Sequence, residues 1–138
     1  MHPIVKNILA VVAGLLIGST INMSLIMVSG NIIPPPAGAD ITTVEGLKAS
    51  IHLFTPINFL FPFLAHALGT LAGSLVAARF AATGRLIAAL TVGFFFLAGG
   101  SANVLMLPSP LWFVITDLGL AYLPMAYIGY RLGAPKVA

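Results

Sequence analysis

Residues 57–78 read INFLFPFLAHALGTLAGSLVAA, with no Lys, Arg, Asp or Glu. A segment this apolar and this long cannot be a surface element of a water-soluble domain. About 20 consecutive apolar residues are what an α-helix needs to cross the hydrocarbon core of a bilayer. Three further stretches have the same character, at about 5–28, 86–106 and 111–130. Only two of these contain a charged residue, Lys6 near the start of the first and Asp117 within the last. Each stretch has the length of a spanning helix and nothing is left over for a second domain, so the fold class is all-α. The expected architecture is one integral membrane domain over residues 1–138, a four-helix transmembrane bundle.

Composition agrees. The chain of 138 residues is 59% hydrophobic and 7% charged, against a usual charged share of about 25%. Residues 8–17, preceded by Lys6, could pass for the apolar core of a signal peptide. The stretch stays apolar to Val28 with no Ala-x-Ala pattern near it, so it is read as a retained span. Cysteine is absent, which removes disulfides, iron–sulfur clusters, thiolate zinc sites and Cys-linked haem.

The cations set an orientation. Lys6 precedes the first span, Arg79 and Arg85 flank the second connection, and Arg131 and Lys136 follow the fourth span. Alternating helices place all five on one side, leaving Lys48, with Asp40 and Glu45, on the other. Basic loops stay in the cytoplasm, so an inner (plasma) membrane location with both termini cytoplasmic is expected. The basic balance therefore reflects membrane topology, and no nucleic-acid partner is expected. Trp112 and Phe113 are expected at the outer interface, and Tyr127 and Tyr130 at the inner one.

The first outer connection, about 31–55, is the long one. Pro34, Pro35 and Pro36 make its start stiff and extended. In TTVEGLKASIHLF, Thr42 and Glu45 have capping-box spacing. Val44, Leu47, Ile51 and Phe54 share one helical face, with Glu45, Lys48 and His52 on another. A short amphipathic helix on the outer surface, or capping the bundle, is expected. Gly84 is suited to ending the second span. Ser109 is placed to cap the fourth, with Pro110 at its first position. Pro124 should kink that span and free a carbonyl near Leu120.

PPPAGAD at 34–40, FPFLAHALGTLAG at 61–73 and the PSP turn resemble the corresponding stretches of a family of small bacterial four-span membrane proteins. That resemblance implies the architecture and no particular activity. Small multidrug transporters and fluoride channels are also four-helix chains of this size. Their loops are weakly biased in charge, unlike these, and the multidrug family needs a glutamate in the first span that this chain lacks.

Lipid removes the hydrophobic incentive for helices to associate, leaving close packing and interhelical hydrogen bonds to supply it. Ala10, Gly14, Gly18 and Asn22 lie at four-residue steps in the first span, and Ala65, Gly69, Gly73 and Ala77 in the second. Each is a ridge of small side chains where another backbone can approach. One ridge is expected to pack within the chain and the other to serve self-association or another membrane subunit. The bilayer itself is the remaining partner.

The polar residues gather by depth. At 1.5 Å per residue, Asn22 lies about 10 Å below the outer surface, His66 about 14 Å, Asn103 about 5 Å and Asp117 about 10 Å. Thr70 and Ser74 extend the His66 face inward. Asp117 is the one acid inside a span, where holding a charge costs about 2.5–3.5 kcal/mol on insertion scales. It should face the bundle with a partner, and His66 is the natural one. His66, Asp117, Asn22 and Thr70 are thus the candidate solute- or proton-binding residues, while a purely structural pairing of His66 with Asp117 is the competing reading. Asn103 is read as a cap or hairpin residue, and Phe94, Phe95 and Phe96 as lipid-facing or core bulk. His52, His66 and Asp117 are too few and too spread in depth for a metal centre, and one histidine is thin ground for haem. No metal or other cofactor is expected. With no phosphate loop, dinucleotide fingerprint, HExxH or nucleophile beside a base, catalysis is not expected either. Two function classes remain. One is a homo-oligomeric transporter or channel for a small solute, ion or proton; the other is a non-catalytic accessory or scaffold subunit of a larger membrane complex.

Overall fold

The computed structural model describes residues 1–135, so Lys136 lies outside the described residues. Six α-helices occur among them: α1 Pro3–Ile32, α2 Val44–Ser50, α3 Leu60–Phe80, α4 Arg85–Met106, α5 Leu111–Leu120 and α6 Leu123–Gly133. Single turns of 3₁₀ helix at Ile51–Leu53 and Pro56–Phe59 link α2 to α3. Four helical units are long and apolar enough to cross a membrane: α1, the 3₁₀ turn with α3, α4, and α5 with α6. The four-helix bundle expected from the sequence is the fold.

Prolines mark where these helices start. Pro3, Pro56 and Pro124 stand in the first two positions of their elements, and Pro62 sits in the first turn of α3. A first-turn N–H has no intrahelical acceptor, so proline's missing donor costs nothing there. Pro34, Pro35 and Pro36 follow the end of α1, which closes with the Ile33 N–H donating to Ser29 O.

α3 is the central helix, packed by α1, α4 and α6. Its contact with α1 is backbone against backbone. A Cβ added at Gly73 would lie 2.6 Å from Gly14 O, and one at Gly69 would lie 2.8 Å from Gly18 O; the reciprocal clashes arise at Gly14 and Gly18. The two ridges read from the sequence therefore meet each other. This corrects the expectation that one of them would be left for self-association, because each ridge fits the other antiparallel and both are used up within the chain. A third small stripe, which the sequence reading passed over, lies on α6. Gly129 and Gly133 lie against the α3 backbone at Leu71 and Leu75, and Ala126 fills the space beside Gly93 of α4. Buried Ser74 donates to Ala89 O at 3.0 Å, tying α3 to α4.

Several boundaries move by one residue. Thr43, not Thr42, caps α2, accepting from the Gly46 N–H at 2.9 Å. Thr42 instead donates its N–H and hydroxyl to Asp40 Oδ1 at 2.9 and 2.6 Å. Those bonds, the hydroxyl's first, hold the Asp40 carboxyl below the usual carboxylate range. Gly84 does not end α3, which closes at Ala81; with φ of +56° it begins α4 instead. Pro110 occupies the cap of α5, and the Ser109 N–H turns back to Leu107 O.

The basic ends of the helices come together. The Asn7 carbonyl accepts from the N–H groups of Ala82 and Thr83 at 2.8 and 3.2 Å, and its amide donates to Thr83 Oγ1 at 3.0 Å. One side chain on α1 thus organises the turn between α3 and α4. Asn7→Ala is expected to cost about 1–2 kcal/mol, since three bonds worth about 0.5–1.5 kcal/mol each are partly replaced by water. Unfolding by SDS titration in mild micelles measures it.

Phe94 and Phe95 face outward, 64% and 56% exposed, while Phe96 packs between the two core clusters. Phe113 turns inward toward the bundle. It is buried, with its ring centroid 4.8 Å from that of Phe59, and only Trp112 of that pair stays half-exposed.

Candidate functional site

The last span is broken. Pro124 offers no N–H to Leu120 O and its ring crowds that carbonyl. α5 stops at Leu120, and Tyr122 takes φ −116° and ψ −83° before α6 begins. The break has a consequence for side chains. In a straight helix, residues five apart point about 140° away from each other. Here the Tyr122 hydroxyl reaches back and donates to Asp117 Oδ2 at 3.0 Å.

Asp117 is 3% exposed and holds a second partner. His66 Nδ1, from α3, lies 2.9 Å from Oδ1 and 3.0 Å from Oδ2. The expected pairing of His66 with Asp117 is therefore present. The imidazole also stacks on Tyr122, ring centroids 5.7 Å apart and planes 29° apart. With Asp117 ionised the carboxylate only accepts, and Nδ1 then carries the hydrogen. The other ring nitrogen, Nε2, makes no hydrogen bond among the described residues. It is not one of the buried atoms lacking a partner either, so it keeps some accessible surface on a side chain that is 15% exposed.

His66 lines a cavity of about 540 Å³ between the connector-side portions of α1, α3, α4 and α5, beneath the connector. His66 and Asp117 form its polar floor. Its walls are mostly apolar, from residues such as Ile26 and Met27 of α1, Phe61 of α3, Val104 of α4 and Phe113 of α5. Leu47, Ile51 and Phe54 of the connector also line it, three of the four residues on the face read as amphipathic; Val44 stays exposed. The connector is pinned over the bundle by the Asn58 amide donating to Pro34 O at 3.4 Å, and it is braced by the Asp40 N–H donating to Ser50 Oγ at 2.9 Å.

The other two candidates lie elsewhere. Asn22 does not line the cavity; its Cβ sits where a Cβ on Gly69 would come within 3.0 Å, which makes it part of the α1–α3 packing. Thr70 is fully buried, with its hydroxyl left without a partner and outside the cavity lining. Two cavity residues and one residue bonded to Asp117 escaped the sequence reading in this role. Asn103 lines the wall as well as ending α4, where its carbonyl accepts from Leu107 N. Gly100 leaves room for the Tyr122 hydroxyl, since a Cβ there would collide with it. Tyr122 itself, 1% exposed, carried no helical-spacing signal connecting it to Asp117.

Comparison with protein-family models, with curated proteins and with solved structures finds no match, so the chemistry of this cavity is the ground for any functional reading.

Proposed function

We propose that this protein is a multi-pass membrane transporter that takes a small solute into the His66–Asp117 cavity from the non-cytoplasmic side, with both termini cytoplasmic. The observation that carries the reading is an ionisable pair at the floor of a cavity large enough for a ligand. Pockets for small molecules run to about 300–1,000 Å³, and ionisable residues at membrane depth are functional candidates by default. The groups facing His66 are Asp117 of α5 and Tyr122 at the break; among the described residues no Lys, Arg, Glu or second His lines the cavity. Proton uptake by the His66–Asp117 pair is then linked to ligand occupancy. Beneath the pair the helices close on one another at Gly14 and Gly73 and at Gly93 and Ala126, an arrangement that favours a carrier over an open pore. The break between α5 and α6 is the natural place for it to flex.

The small-residue ridges no longer argue for self-association, so homo-oligomerisation is not part of this reading. An accessory-subunit role is the alternative. The test is charge movement on a solid-supported membrane bearing the reconstituted protein, challenged in turn with alcohols, amines, carboxylates and sugars. One class is expected to produce a current that changes at least fivefold between pH 5 and 8 and disappears in His66→Ala with helicity retained. No current from any class, with His66→Ala loosening the bundle, would favour the accessory role.

A further inference from the structure

From the cavity's chemistry we infer its ligand class: a neutral amphiphile with a hydroxyl head and an apolar body, its O–H donating to His66 Nε2. This rests on the reading of the cavity as a ligand site and names what it holds.

The floor offers one kind of contact. Asp117 is almost fully buried and both its oxygens are engaged, by His66 Nδ1 and by the Tyr122 hydroxyl. It has little left for an incoming amine. Nδ1–H is committed to the carboxylate, so a neutral imidazole presents Nε2 as an acceptor, oriented by the carboxylate behind it. An acceptor selects a donor. Among the described residues no Lys or Arg lines the cavity, so a phosphate or carboxylate head would be desolvated beside Asp117 with no counter-charge, which is costly. Above the floor, side chains such as Ile26, Met27, Leu47 and Phe113 line a mostly apolar shaft, while Ser29, Asn58, Asn103 and Ser109 add polar groups to the lining. The shaft suits a hydrocarbon body, and its depth from the start of the 3₁₀ turn at Pro56 to His66 is about 15 Å.

Trp112, the sole tryptophan, supplies the readout. Its ring packs edge-on against Phe59, centroids 5.5 Å apart, and lies 5.9 Å from Phe113; both phenylalanines line the cavity. A bromine at the tail of a ligand seated head-down would come near the indole and quench it. The probes are 11-bromoundecanol, its methyl ether and 11-bromoundecanoate, whose extended chains match the shaft, added to the purified full-length protein in neutral detergent at pH 8. The alcohol is expected to half-quench Trp112 at a mole fraction at least tenfold below that of the ether or the carboxylate. In His66→Phe that preference should fall below twofold, with the ether curve unchanged. Because the ether comparison is made within one folded protein, a structural change alone cannot mimic the preference. Equal quenching by alcohol and ether, or tighter binding of the carboxylate, would overturn the ligand class while leaving the cavity a ligand site. If all three quench only as they do free tryptophan in the same micelles, both the inference and the site reading fail.

Discussion

Gly73→Leu is expected to separate α1 from α3 and to cost about 3 kcal/mol or more, the upper end for forcing a side chain into a packed site. The obstacle is a neighbouring carbonyl, Gly14 O, 2.6 Å from where the Cβ would fall, with Val92 at 3.2 Å on the other side. A side chain could swing away; a helix backbone cannot, so α1 as a whole must retreat. Little holds it against retreat. Lipid tails solvate the exposed apolar faces of α1 as well as protein does, and the buried residues of α1 are only Ala10, Gly14 and Gly18. Gly14→Leu should behave alike, whereas Gly99→Leu, where a Cβ meets nothing within 4 Å, should be close to neutral. SDS-titration unfolding in bicelles, with a disulfide trap between α1 and α3, separates these outcomes. Equal costs at Gly73 and Gly99 would mean that the α1–α3 contact is not what fastens the first helix.

Asp117→Ala is expected to cost about 3–5 kcal/mol, and Asp117→Asn less than about 1.5 kcal/mol. Alanine strands two donors at once, the His66 Nδ1–H and the Tyr122 hydroxyl, in a site where Asp117 is 3% exposed. Asparagine keeps both partners. Its carbonyl accepts from Nδ1, and its amide donates to the Tyr122 oxygen, which turns from donor to acceptor. The functional ranking is different, because asparagine cannot ionise. The pH dependence of solute-induced charge movement should flatten in Asp117→Asn even though the bundle stays folded. Thermal unfolding in detergent and currents at pH 5 and 8, measured on the same preparations, give the two rankings. If Asn and Ala proved equally destabilising, the three-residue network would not be the fastening it is taken for. If Asn left the pH dependence intact, proton linkage would have to reside elsewhere.

The parts of this protein written along single segments could be read directly. Apolar run length gave four spans, and four-residue spacing gave the ridges through Gly14 and Gly18 and through Gly69 and Gly73. Pro124 marked the broken span. The lone acid within a span had to find a partner, because lipid offers an unpaired carboxylate none, and that argument led from Asp117 to His66. Each of these inferences uses only hydropathy, helical period or the cost of an isolated polar group, all of which are local.

What required the tertiary structure was every statement about rotation between helices. Depth placed Asn22 level with His66 and Asp117, but depth does not say which way a side chain points, and Asn22 turned into the α1–α3 seam. Thr70 shares the His66 face by spacing, yet it is buried beside the central packing and lies outside the cavity. Tyr122 joined the site because a backbone break undid the helical period that sequence reasoning relies on. The two ridges consumed each other because their registers match antiparallel, a property of the pair that neither ridge carries alone. Hydropathy and periodicity act within a segment, whereas partners are chosen by how rigid helices fit together, and that choice is made only in three dimensions.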